Sequence, residues 1–114
     1  MKRWVAFTVI LLLVLSNTAF AEVKIRQYEQ AKNTDRFQNY IYGVAVGFFT
    51  ANALLRIKGQ PSLYCQVGTP ELDKDNYLAI LDQKMKAMAD QLNPDSEVEH
   101  LLFIGLLQKF PCNG

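Results

Sequence analysis

The chain has 114 residues, half of them hydrophobic, and a formal net charge of +1 at pH 7. That length holds one compact domain and not two. A balance of 12 basic against 11 acidic residues supplies neither the basic stripe nor the basic tail by which nucleic acid or an anionic membrane surface is gripped, so neither is expected as a partner.

The N-terminus reads as a Sec export signal. Lys2 and Arg3 precede an unbroken apolar run from Trp4 to Leu15, and Ser16, Asn17 and Thr18 close it. Ala19-Phe20-Ala21 then offers small residues where signal peptidase selects them, so cleavage after Ala21 is expected. Residues 1–21 are the leader and residues 22–114 the mature helical domain. The alternative, an uncleaved anchor, needs about 18 to 20 apolar residues, and this run is shorter. The first residue after the cleavage site is Glu22 and not the cysteine that would carry a lipid. Without Lys2 and Arg3, ten basic residues face eleven acidic ones, and the exported chain is close to neutral.

Beyond a polar lead, residues 22–33, apolar residues recur at helical spacing: Phe37, Tyr40, Ile41, Val44, Phe48 and Leu55. Thr34 is placed to cap this central helix, and Asp35 sits where the helix dipole favours an anion. Arg56, Lys58, Gly59 and Pro61 mark its end. The stretch from Tyr40 to Leu55 is apolar enough to resemble a membrane span. It is short for one and carries Thr50 and Asn52, so a buried core helix is expected. Gly43 and Gly47 lie one turn apart within it. Glycine costs about 1 kcal/mol against alanine inside a helix, and close approach of another helix would account for both. That helix belongs to the same chain or, alternatively, to a second copy. On that reading a bulky Gly47→Leu is expected to overpack.

A loop over residues 60–69 carries Cys65. Thr69 and Pro70 have the form of a cap and a first helical residue, and the following helix shows an apolar stripe of Tyr77, Leu78, Leu81, Met85, Met88 and Leu92. Lys74, Asp82, Lys84, Lys86 and Asp90 form its solvated face. Asn93-Pro94 ends it. Ser96 and Glu99 have capping-box spacing ahead of a last helix, Val98 to Phe110, that is apolar nearly all round and is expected between the other two. No strand pattern or repeat appears. The fold class is therefore all-α, a single-domain bundle of three or four helices.

Cys65 and Cys112 are the two cysteines, and in an exported chain they are expected to pair. The disulfide would close a loop of about 48 residues, worth about 4 kcal/mol in the chain-entropy description. Free thiols and a metal site are the alternatives. Zinc takes about four ligands, and with the single histidine, His100, and no Cys-x-x-Cys pair, no metal or other cofactor is expected.

The supply of catalytic groups is poor. With the thiols paired, the nucleophiles outside the leader reduce to Ser62 and Ser96 among the serines, and His100 sits beside Glu97 and Glu99 with no evident partner to activate. Asp73 and Asp75, two residues apart, point to different sides of a helix. The chain is not expected to be an enzyme.

The order Tyr40-Ile41-Tyr42-Gly43-Val44-Ala45-Val46-Gly47, then Leu63-Tyr64-Cys65, a threonine-opened helix, and Leu107-Gln108-Lys109-Phe110-Pro111-Cys112 resembles the Tai-type immunity proteins of type VI secretion. The likeness spans most of the mature chain. It departs from the family pattern at Val67, where a proline is common, and at Val46, near which family members carry an acidic residue. The resemblance implies a helical, often dimeric protein of the Gram-negative periplasm that binds a peptidoglycan amidase effector and blocks its active-site cleft. The loop tied down by Cys65 would be the inhibitory protrusion, with Gln60, Ser62, Tyr64 and Gln66 as its contacts. Tyr64 is the foremost of them, because tyrosine is enriched among interface hot spots; the sequence alone is equally compatible with a buried core tyrosine. The rival reading is a periplasmic chaperone or acid-stress protein that exposes apolar surface to unfolded clients.

Overall fold

A computed structural model describes residues 23–66 and 72–113. The proposed leader, Thr69, Pro70 and Val67 lie outside the described residues. Those that are described form a 3-10 turn (Ile25–Gln27) and four α-helices: α1 (Tyr28–Ala31), α2 (Asp35–Ile57), α3 (Lys74–Ala87) and α4 (Val98–Lys109). Apart from an isolated antiparallel bridge between Lys24 and Glu97, the described architecture is all-α, as the periodicity predicts.

Helix α2 begins where its sequence indicates. The Thr34 hydroxyl accepts from the Phe37 amide at 3.2 Å, and Asp35 occupies the first turn. At the far end Gly59 adopts φ 70°, a left-handed conformation that costs glycine nothing. One face of α2 enters the core through Phe37, Ile41, Ala45 and Asn52. It meets α3 through Tyr42 and Tyr77, ring centroids 6.2 Å apart, and α4 through Phe48 and Phe103 at 5.1 Å. Helix α4 contributes Val98, Leu101, Leu102 and Leu106 to the same core, and α3 contributes Tyr77, Ile80 and Leu81.

Other local expectations are corrected. Helix α3 starts at Lys74, capped by Asp73, whose carboxylate accepts from the Asn76 amide at 2.8 Å; the start expected at Thr69-Pro70 is several residues too early. Ser96 does not cap α4. Its N-cap is Glu97, which makes no side-chain cap bond, because the polar lead occupies that ground. Ile25 N donates to Ser96 O at 2.9 Å, and Val98 N, one of the helix's otherwise orphaned amides, donates to Val23 O at 3.0 Å. Lys24 Nζ adds an ion pair to Glu97 at 3.1 Å. The lead is thus a strap, fastened at Tyr28, which is buried, stacks edge-on to Phe37, and donates its hydroxyl to Asp82 Oδ1 at 2.8 Å.

Helix α2 is also less enclosed than expected. It is long and apolar enough to cross a membrane by length and composition, and only 17% of its most apolar window is buried. Tyr40, Leu54 and Ile57 stand 40%, 50% and 81% exposed. Gly43 and Gly47 lie on this outer side, and a Cβ built on either meets no atom of the described residues within 4 Å. Among the described residues no helix of the same chain packs against either. The glycine that does is Gly105 in α4, where a Cβ would come within 2.8 Å of Ile80 Cγ2, a β-branched methyl with little freedom to yield.

The two glycine classes should respond oppositely to alanine. Gly47→Ala is expected to stabilise by about 0.5–1 kcal/mol, because it adds helix propensity in open space. Gly105→Ala is expected to cost about 1 kcal/mol net, overpacking outweighing the same propensity gain. Denaturant melts of the two single variants provide the check.

Candidate partner-binding loop

The segment after α2 is held to the body of the domain at successive points. Asn52, on the buried face of α2 and 5% exposed, lies within reach of the loop backbone. Its Oδ1 accepts from Leu63 N at 2.6 Å, and its Nδ2 donates to Tyr64 O at 2.6 Å. A primary amide carries a donor and an acceptor in one plane, so this one side chain pairs with adjacent loop residues much as a neighbouring strand would. Cys65 N donates to Phe110 O at 2.7 Å. The Cys65–Cys112 disulfide, with Cα atoms 4.9 Å apart, fastens the same place covalently to the chain beyond α4.

Adjacent side chains in this anchored stretch part company at Leu63 and Tyr64. Leu63 is 47% exposed and Tyr64 is 0% exposed. Gln60 is exposed, while Ser62 and Gln66 are half-buried. The expected role of Tyr64 as a surface contact is therefore corrected: a fully buried ring is an anchor that partners do not reach. Burial pushes its phenol pKa up, and among the described residues its hydroxyl has no hydrogen-bond partner. Leu63 and Asn52 were not among the site residues that the sequence indicated. A leucine between two polar residues carries no periodic signal, and the pairing of Asn52 with a loop eleven residues on is a tertiary contact.

Elsewhere the chemistry is sparse. His100 is a surface residue, 73% exposed, with Nδ1 3.3 Å from Glu97 Oε2. Among the described residues no group of three metal-ligating side chains comes together. A shallow groove of about 320 Å³ between α3 and α4, lined by Ile80, Gln83, Gly105 and Lys109, is bridged by Lys84 Nζ to Gln108 Oε1 at 2.5 Å. What the described part of the loop, residues 60–66, offers is a fixed backbone with Leu63 exposed and neutral neighbours.

If Tyr64 is an anchor, deleting its unpartnered hydroxyl should be nearly free, whereas deleting the ring should not. Tyr64→Phe is expected to change stability by less than about 1 kcal/mol, and Tyr64→Ala to cost about 3–5 kcal/mol, read from urea unfolding. No known family, characterised protein or solved structure matches the chain.

Proposed function

We propose that this protein is an exported inhibitor that binds a peptidoglycan amidase effector of type VI secretion in the periplasm and blocks its active-site cleft with the loop over residues 60–66. The observation that carries the reading is that the backbone at residues 63–65 and the side chains of Tyr64 and Cys65 are held to the body of the domain while the Leu63 side chain stays exposed. A loop ordered before it binds loses little conformational entropy on docking. That is what an inhibitor needs if it is to hold a cleft against substrate. The Cys65–Cys112 disulfide fits an oxidising compartment, and the resemblance in the tyrosine-glycine and Phe-Pro-Cys segments supplies the effector class.

Leu63 enters the contact set with Gln60, Ser62 and Gln66, and Tyr64 moves beneath it. An apolar side chain flanked by amides and a hydroxyl suits a cleft built to hold peptide, where neutral hydrogen-bonding groups meet a hydrophobic wall. Charge plays little part at the loop's crest.

Co-expression with candidate amidases directed to the periplasm, followed by peptidoglycan cleavage with purified components, tests the proposal. The native chain is expected to suppress cleavage by one of them. Leu63→Asp should weaken that inhibition about 10- to 100-fold, or about 1.4–2.8 kcal/mol, with an unaltered thermal melt. If none of the amidases is bound, and the chain instead suppresses aggregation of unrelated clients at low pH, the chaperone reading replaces this one.

A further inference from the structure

We infer that Asn52 is the positioning residue of the binding loop, the group that sets the outward presentation of Leu63; the inference rests on the docking role proposed for that loop. Asn52 is the buried polar residue of the described core, and both functional atoms of its amide are committed to the loop, one to Leu63 N and one to Tyr64 O. None of the residues closest to it in size reproduces this. Aspartate lacks the donor and would set a carboxylate oxygen against the Tyr64 carbonyl. Leucine lacks both groups, and glutamine places them one methylene further out. The disulfide cannot substitute, because it fixes Cys65 while leaving the backbone of Leu63 free to turn about its own φ and ψ. The amide of Asn52 instead holds the Leu63 nitrogen and the carbonyl of the next residue, Tyr64, and so brackets the Leu63 Cα from both sides and restricts where its side chain points.

Backbone exchange distinguishes local positioning from general stabilisation. In the native oxidised chain, the Leu63 amide should exchange only with global opening, at protection comparable to that of Ile41 and Leu81. In Asn52→Ala its exchange should accelerate by about 100-fold beyond the change at those core amides, whereas reduction of Cys65–Cys112 by dithiothreitol should quicken it only several-fold beyond the change at the same core amides. With whichever amidase the native chain inhibits, the variant should inhibit about tenfold more weakly. The inference is overturned if native Leu63 exchanges far faster than the core, or if the variant's Leu63 exchange changes only in step with global stability. The native measurement decides even if Asn52→Ala fails to fold. Should no amidase be inhibited by the native chain, the proposed function fails, while the exchange data still settle whether Asn52 positions Leu63.

Discussion

A buried amide facing a strip of loop backbone is the constraint from which the rest of this molecule's presentation follows. Asn52 lies on the buried side of α2, in line with Phe37, Ile41 and Ala45, at a position where a side chain without hydrogen-bonding groups would satisfy the core but strand the loop. A hydrogen bond contributes only about 0.5–1.5 kcal/mol net, yet leaving a buried donor or acceptor unpaired costs about 1–3 kcal/mol. Asn52 offsets that cost twice, for Leu63 N and Tyr64 O. Burial of Tyr64, the Cys65 N to Phe110 O bond and the disulfide then become mutually consistent, because each draws the same few residues against the ends of α2 and α4.

The opposite end of the domain is closed by a different device. The polar lead and α1 together do this: residues 23–26 pair their backbone with residues 94–98, and Tyr28, the first residue of α1, enters the core and joins α3 through Asp82. Asp82 is held below the usual carboxylate range by hydrogen bonds from Lys86 and from Tyr28. Its contribution is therefore present above about pH 4 and lost as pH falls through the lowered folded value. Strap and loop both work on α4: one supplies the carbonyl that accepts from its first amide, and the other ties down the chain that leaves it.

Much of the fold was legible because helical periodicity, caps and cysteine count are local or compositional signals. Thr34, Gly59 and the Cys65–Cys112 pairing each follow from chemistry that a few neighbouring residues or the redox compartment dictate. The site was less legible. Asn52 reads in sequence as a polar interruption of an apolar run, and only the folded chain shows that it faces inward to a partner eleven residues away. Tyr64 could be core or contact until the alternation across Leu63 and Tyr64 was fixed by that bond. The glycines are illegible for a related reason: their spacing does not say whether a helix of the same chain or a second copy lies opposite. A one-turn spacing marks a smooth helix face, whereas close approach depends on what lies opposite, which is open space at Gly43 and Gly47 and Ile80 at Gly105. Ser96 had the spacing of a cap, but the lead had already claimed that backbone.

These constraints converge on a pre-shaped loop that exposes Leu63 on a disulfide-closed helical body, the surface we propose docks into an amidase cleft. A photoreactive benzophenone side chain introduced at Leu63 of the full chain measures that proposed docking directly. Irradiation with the inhibited amidase should yield an adduct whose cross-linked peptide lines the enzyme's active-site cleft, and excess peptidoglycan fragment should suppress it. An adduct mapped away from the cleft, or efficient cross-linking from Ile57 on the outer face of α2 with none from Leu63, would contradict the account.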